Sequence, residues 1–231
     1  MRDDEDNGRN VDAIYRRHLV LVRGRALRIL GNRALAEEVA QEIKARGVDA
    51  FAHQANVGNE DEVLAMFDAA RERFGTIDIL ANVAGGFSMG PSLEDTPDET
   101  WNLMMDLNAR SVFNMCRAVM PIMRDAGRGR VVNVSARAAL SGKGHMGPYC
   151  ASKAAVITLT ESLAAETKHA GITVNCILPG TVDTPQNRAA MPDQDHDTWV
   201  PPAALADVIL FLASDAARCV TGAAIPVFGR S

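Results

Sequence analysis

Short runs of β-branched and other apolar residues alternate along this chain with helical patterns of ten or more residues. Such alternation is typical of β-α-β units, which place their strands parallel in one sheet and cover it with helices. We predict strands at residues 77–82, 130–134, 172–178 and 224–227, and a weaker one at 48–57. We predict helices at 62–73, 98–124, 149–169 and 202–213, and a mobile loop at 184–202, where proline and aspartate are frequent.

The composition suits one folded domain, because 47% of the 231 residues are apolar and 23% are charged. No apolar run approaches the roughly 18 residues that span a bilayer. Asp3 to Asp6 make the start of the chain acidic, where a signal peptide would be basic. We therefore expect a cytoplasmic protein without a membrane partner, with residues 1–17 as a disordered acidic leader and residues 18–231 as a single domain.

Net charge and cysteine spacing argue against several other classes of protein. A net charge of -5 disfavours nucleic acid as a partner, since phosphate contacts need a concentrated basic face. The four cysteines lie far apart and form no Cys-x-x-Cys pair, so we expect neither a disulfide framework nor a metal site. A small molecule is the expected partner.

Tyr149 and Lys153 place a phenol and an ammonium one helical turn apart, at the start of a long predicted helix. Side chains at positions i and i+4 share a helix face. A neighbouring positive charge favours the phenolate and so lowers the pKa of a tyrosine. The pair therefore predicts a general acid or base that works near neutral pH.

Asn108 lies in the middle of an apolar stripe on the predicted helix 98–124. The apolar members of the stripe are Trp101, Met105, Val112, Met115, Val119 and Ile122. A buried amide without partners costs on the order of 1–3 kcal/mol. The stripe alone favours a structural asparagine that is hydrogen-bonded to nearby backbone over a functional one.

Six motifs, in the same order along the chain, resemble those of the short-chain dehydrogenase/reductase family. They are residues 82–85 (Asn-Val-Ala-Gly), Asn108, residues 131–135 (Val-Val-Asn-Val-Ser), Tyr149 with Lys153, Pro179-Gly180 with Thr184, and residues 220–222 (Val-Thr-Gly). The resemblance covers about residue 48 to the C-terminus. It implies a Rossmann-like, doubly wound parallel sheet and hydride transfer to or from NAD or NADP.

The resemblance also implies roles for individual residues. Tyr149 would exchange a proton with the substrate, Lys153 would lower the pKa of that phenol and hold the nicotinamide ribose, and Asn108 would anchor a water in the proton relay. The residues expected to bind the cofactor are Asn56, Asn82, Ala84, Gly85, Tyr149, Lys153, Pro179, Gly180, Val182 and Thr184.

The position of the family's catalytic serine is occupied here by Ala136. The neighbouring Ser135 substitutes for it only if the strand has ended before that residue, since successive strand residues point to opposite faces. One branch of the family, the dihydropteridine reductases, also has alanine there. Residues 135–142 and 178–185 resemble that branch, with Phe87 placed to stack on a flat substrate. A quinonoid pterin is therefore expected as a substrate beside ordinary carbonyls.

The family's N-terminal glycine-rich motif has no match in this chain. Only 16 residues, His18 to Arg33, stand where a βαβ unit needs roughly 30. A natural deletion, an altered gene start and a rebuilt loop at 23–31 each explain the shortened first βα unit. Arg33, without an acidic residue beside it, favours NADP slightly over NAD. Asn56 stands where the family has an aspartate, and its amide oxygen could accept a hydrogen bond from the adenine amino group in the same way.

Two functional interpretations stay open. An intact Asn108, Tyr149 and Lys153 favours the enzyme, whereas Ala136 and the missing glycine motif favour a non-catalytic binding or assembly subunit. The family resemblance further implies a homodimer or homotetramer that pairs through the helices containing Asn108 and Tyr149.

Overall fold

The computed structural model describes residues 33–230 of the chain. Two predictions therefore lie outside the described residues. These are the acidic leader at residues 1–17 and most of the shortened first βα unit, which begins at His18.

Four parallel strands form the sheet of residues 33–230, in the spatial order β1-β2-β3-β4. The strands are β1 (Ile79–Asn82), β2 (Gly129–Val134), β3 (Ile172–Pro179) and β4 (Ala224–Val227). In this register Ala81 lies beside Val132, and Val132 beside Asn175. The strands predicted at 77–82, 130–134, 172–178 and 224–227 are thus confirmed, with ends that differ by at most two residues.

The weaker strand predicted at 48–57 is wrong, because no strand forms there. Within the described residues this segment has no ladder partner. Ala55 and Val57 pack into the core through their side chains instead. An apolar run marks burial, and burial alone does not distinguish a strand from a packed connection.

Seven α-helices of residues 33–230 surround the sheet, and the predicted ones are confirmed with small shifts of their ends. They are α1 (Arg33–Ala45), α2 (Glu60–Phe74), α3 (Asp98–Met104), α4 (Ser111–Ala126), α5 (Gly147–Thr167), α6 (Pro185–Ala190) and α7 (Pro202–Ala213). The ends of α2 show the local cause. Asn59 accepts a hydrogen bond from the N–H of Glu62 at its start, and Gly75 ends it at φ 83°.

Both faces of the sheet are covered by helices, as a doubly wound fold requires. Successive strand residues point to opposite faces, so Val131 and Val132 enter different cores. Val131 packs in a cluster with residues of α2, α4 and α5. Val132 and Ile177 pack against Leu212 of α7 on the other face. Every residue of β3 is buried, and the α/β doubly wound class is confirmed.

The predicted helix 98–124 is one rod with a wider turn inside it. A turn of π-helix, Met105–Arg110, joins α3 to α4. Asn108 lies in this turn and is fully buried. Such turns add a residue to the helix and often mark functional sites.

The loop predicted at 184–202 is wrong in part, because it contains α6 and a short 3₁₀ turn, His196–Thr198. The hydroxyl of Thr184 accepts a hydrogen bond from the N–H of Asn187 at 3.2 Å and so caps α6. A parallel bridge between Val182 and Val200 holds the ends of the segment together. Among the helices that the structure describes, none is both long enough and apolar enough to cross a membrane.

Candidate active site

A cavity of about 480 Å³ opens at the carboxyl ends of β1, β2 and β3. Ligands of doubly wound sheets bind at this edge, where the loops after neighbouring strands diverge. Seven of the predicted site residues line the cavity: Gly85, Ser135, Tyr149, Lys153, Pro179, Gly180 and Val182. Five do not line it: Asn56, Asn82, Ala84, Asn108 and Thr184.

Tyr149 lies in the first turn of α5, next to Pro148, which favours the start of a helix. Its ring meets the ring of Phe87 edge to face, with 5.0 Å between centroids. Burial raises the pKa of Tyr149 to about 12, and Cys150 acts in the same direction. The phenol therefore keeps its proton at neutral pH.

Lys153 follows one helical turn later and is only 6% exposed. Its Nζ donates a hydrogen bond to the carbonyl of Val134 at 2.9 Å, its one acceptor among residues 33–230. Burial lowers the pKa of Lys153 to about 8. An ammonium has three N–H donors, so two remain for a ligand.

The lowering of the Tyr149 pKa by Lys153, expected from the family resemblance, stays a prediction, because burial and Cys150 are the causes that shift this pKa here. The ammonium is directed to Val134. Burial of the phenol dominates its pKa and shifts it upward. Tyr149 is consequently protonated at neutral pH, as a proton donor must be.

Asn108 holds the backbone of Gly86 at both of its polar groups. Its Oδ1 accepts from the Gly86 N–H at 2.9 Å, and its Nδ2 donates to the Gly86 carbonyl at 3.0 Å. Nδ2 also donates to the hydroxyl of Ser152 in α5 at 3.0 Å. This geometry matches the structural interpretation of the apolar stripe, and the water-anchoring role stays a prediction.

The loop after β1 can approach this region only because it consists of glycines there. A Cβ on Gly85 would lie 2.8 Å from Asn108 Oδ1 and 2.9 Å from Lys153 Nζ. A Cβ on Gly86 would lie 2.7 Å from Leu107. The result is a cradle of bare backbone beside a cation with free donors, which fits the ribose and nicotinamide of a dinucleotide.

Ser135 stands just after the end of β2, as its proposed substitution for the missing serine requires. Its hydroxyl, however, donates to the carbonyl of Lys153 at 2.7 Å, in the body of α5. Ala136, at the family's serine position, lines the cavity with a methyl group. The wall therefore has no hydroxyl donor at that position.

Asn82 lies in a buried amide chain behind the cavity. Its Nδ2 donates to Asn133 Oδ1 at 2.8 Å, and Asn133 Nδ2 donates to the hydroxyl of Thr160 at 2.9 Å. The chain joins β1, β2 and α5 across the strands. Asn82 therefore orders the sheet edge from which the loop containing Gly85 starts.

Asn56 and Thr184 use their side chains locally. Asn56 Oδ1 accepts from the N–H of Gly58 at 3.1 Å, in the turn that leads to α2. The hydroxyl of Thr184 caps α6. Ala84 lies in the loop after β1, between Val83 and Gly85, which both line the cavity.

Two basic residues of the wall, Arg137 and Lys143, received no role from the sequence analysis. Both line the cavity from the connection between β2 and α5. The sequence does contain a signal for these two basic residues. Between Asp125 and Glu161 the chain has five arginines or lysines and no aspartate or glutamate. Among the residues that the structure describes, no group of three His, Cys, Asp or Glu could hold a metal ion.

Comparison with known proteins places this geometry in a family. The sequence profile described as short chain dehydrogenase matches residues 21–195. The 3-oxoacyl-[acyl-carrier-protein] reductase FabG of Staphylococcus aureus (strain Mu50 / ATCC 700699) is 36% identical over 212 residues, covering 88% of this chain and 86% of that protein. The 2-(R)-hydroxypropyl-CoM dehydrogenase of Xanthobacter autotrophicus is 36% identical over 191 residues, covering 76% and 75%.

A crystal structure of a putative gluconate dehydrogenase from Agrobacterium tumefaciens superposes with a TM-score of 0.80. It is 28% identical and the match covers 86% of this chain and 82% of that chain. The shared architecture thus extends over most of both molecules.

Replacing Asn108 with alanine should destabilise the protein by about 2–4 kcal/mol, because it leaves the buried polar groups of Gly86 and Ser152 without their partner. Asn102, exposed on the same rod, gives the matched control. Its alanine variant should change the free energy of unfolding by less than about 0.5 kcal/mol. Urea unfolding measures both free energies. An equally small change in the two variants would show that the contact between Asn108 and Gly86 does not stabilise the protein.

The buried ammonium of Lys153 predicts a pH-dependent difference between the wild type and Lys153→Met. The pKa falls from 10.5 to about 8 on folding, so the unfolded chain binds more protons between these values. Wild-type stability should therefore rise relative to the variant from about pH 8 to about pH 10.5, and the difference should be flat below pH 8. Urea unfolding from pH 7 to 11 measures it, and a constant difference would contradict the assignment.

Proposed function

Because the chain belongs to the short-chain dehydrogenase family, we propose that it is an NAD(P)-dependent reductase of a carbonyl substrate, with Tyr149 as proton donor. One observation supports this most directly. A tyrosine that keeps its proton and a buried lysine with donors to spare line the same cavity, one helical turn apart.

The proposed role of Tyr149 as proton donor follows from its protonation state. A phenol whose pKa is raised to about 12 is protonated throughout the neutral range. It can hydrogen-bond to a substrate oxygen and pass its proton there as negative charge develops. We propose reduction as the reaction, with Tyr149 as the acid; the reverse oxidation would use the same residue as the base.

Lys153 has two tasks in the proposal. Its free N–H donors face the glycine cradle, where they would hold the ribose hydroxyls of the nucleotide. Its charge, barely screened because the group is buried, would stabilise the phenolate left after proton transfer. A bound nicotinamide supplies the hydride.

Further residues of the cavity wall would hold that nucleotide. Gly85, Pro179, Gly180 and Val182 line the side of the cavity formed by the loops after β1 and β3. We favour NADP over NAD because Arg33 begins α1 and no acidic residue stands beside it.

The substrate class rests on the relatives and on the wall. Two of the relatives are a 3-oxoacyl-[acyl-carrier-protein] reductase and a 2-(R)-hydroxypropyl-CoM dehydrogenase, so carbonyl–alcohol interconversion is the reaction we propose. A quinonoid pterin is the second candidate. Ala136 and the exposed ring of Phe87 favour it, since they offer a flat apolar surface in place of a hydroxyl.

Tyr149→Phe should bind NADPH as tightly as the wild type and lose about 10²–10⁴-fold in turnover, because it lacks only the transferable proton. Nicotinamide fluorescence and calorimetry measure binding, and NADPH consumption with a panel of ketones and quinonoid dihydropterin measures turnover. Circular dichroism checks that both proteins are folded alike.

Two outcomes would contradict the proposal. Unchanged turnover in Tyr149→Phe would remove the assigned mechanism. Absence of binding to NADPH and NADH at millimolar concentration would favour the alternative, a non-catalytic subunit of the same fold that retains its tyrosine and lysine without using them.

We also propose that the chain forms a homodimer through α4 and α5. A groove of about 540 Å³ lies between these helices. Its wall combines the apolar side chains of Phe113, Leu159 and Leu163 with charged residues at the rim. Phe113 is 44% exposed and lies under the guanidinium of Arg117, a surface that a second copy would cover.

Phe113→Glu should convert a dimer to a monomer, because it puts an unpaired charge into the centre of that surface. Solution scattering gives the mass. Leu64→Glu, at an equally exposed position on α2, should leave the mass unchanged. A monomeric wild type would rule the dimer out.

A further inference from the structure

The wall of the active-site cavity contains three cations and no carboxylate. Arg137, Lys143 and Lys153 line it, and none of its lining residues is Asp or Glu. This contrasts with the whole chain, whose net charge is -5. A partly enclosed, low-dielectric space lined by one sign of charge concentrates ligands of the opposite sign.

We propose that the substrate carries a carboxylate within a few carbon atoms of its carbonyl and that Lys143 binds this carboxylate. The inference rests on the proposed function and adds the chemical class of the substrate. Its basis is the difference between Lys143 and the other charged groups around the cavity.

Lys153 is committed elsewhere. Its ammonium bonds to Val134 and adjoins Gly85, where the nucleotide would lie. Arg137 is held at the wall, with its guanidinium 5.5 Å from the ring centroid of Phe228. It adds positive charge at a fixed place.

Lys143 is exposed and has no ion-pair partner among residues 33–230. Asp183 follows Val182, a residue of the cavity wall. Its carboxylate accepts two hydrogen bonds from Arg188, so its negative charge is already compensated. The long side chain of Lys143 is therefore the group available to reach an anion in the cavity.

The remaining wall indicates what the carboxylate is attached to. Phe87, Met146 and Met191 line the cavity with apolar surface. The cavity of about 480 Å³ would hold the nicotinamide end of the nucleotide as well as the substrate, so the substrate is small. The proposed substrate is thus a small keto acid with an apolar body: the body packs on Phe87 and the methionines, the carbonyl meets Tyr149, and the carboxylate meets Lys143.

The test uses phenyl keto acids with zero to three methylene groups between ketone and carboxylate, each paired with its methyl ester. The wild type should prefer at least one acid over its ester in kcat/KM with NADPH. Lys143→Gln should lower that acid-to-ester ratio by about tenfold or more, mainly through KM, because a charge-assisted hydrogen bond is lost. Lys143→Arg should retain most of it.

Lys168→Gln is the matched control for the change in net charge. Lys168 follows the last residue of α5, about 20 residues and roughly 30 Å along the helix from Tyr149. Its variant should keep the wild-type ratio. Equal kcat/KM for all acids and esters, or an equal loss for both in Lys143→Gln, would overturn the inference.

Calorimetric titration of each acid and ester into the protein without nucleotide separates this inference from the proposed function. If no substrate turns over, the reductase proposal fails, and binding alone decides about Lys143. Tighter binding of an acid than of its ester, lost in Lys143→Gln, would support the anion site. Equal binding, or no binding of any acid, would overturn it.

Discussion

The hydrogen bonds between the Asn108 amide and the backbone of Gly86 hold the active site together. They fix the loop after β1 against the π-turn, and the further bond to Ser152 ties that turn to α5. Tyr149 and Lys153 both lie on α5, so the Asn108 side chain links the proposed proton donor, the cation and the glycine cradle. Asn108 is fully buried, so no water can replace it as a hydrogen-bond partner of Gly86 and Ser152.

Burial also sets the chemistry of the two ionisable groups on α5, and it acts on them in opposite directions. It raises the pKa of Tyr149 to about 12 and lowers that of Lys153 to about 8, since in each case it favours the neutral form. The site resists the separated charges of a phenolate and an ammonium. In the proposed reduction, a substrate oxygen would take the proton from Tyr149 only as hydride transfer makes that oxygen basic, which would couple the two transfers.

The sequence was most informative where a pattern depends on near neighbours in the chain. The strands at the centre of the sheet and α2, α5 and α7 follow from periodicity and end signals, and Tyr149 with Lys153 follows from helix geometry. Prediction failed where the outcome depends on distant partners. Residues 48–57 lack a ladder partner within the described residues. The π-turn at Met105–Arg110 is held by the contacts of Asn108 with Gly86 and Ser152. Burial, which raises the pKa of Tyr149, likewise belongs to the assembled fold.

The two sides of the cavity differ in how closely they are packed against the buried core. Tyr149, Lys153 and the glycine cradle are backed by the sheet and by buried amides, whereas Asn187 and Met191 come from α6 and its end, a short helix with no buried residue. Mutations in α6 can therefore reshape the substrate side with little cost to folding, while mutations on the opposite side disturb the core. On the proposed function, substrate preference could therefore change through this one exposed helix while the residues proposed for catalysis stay the same.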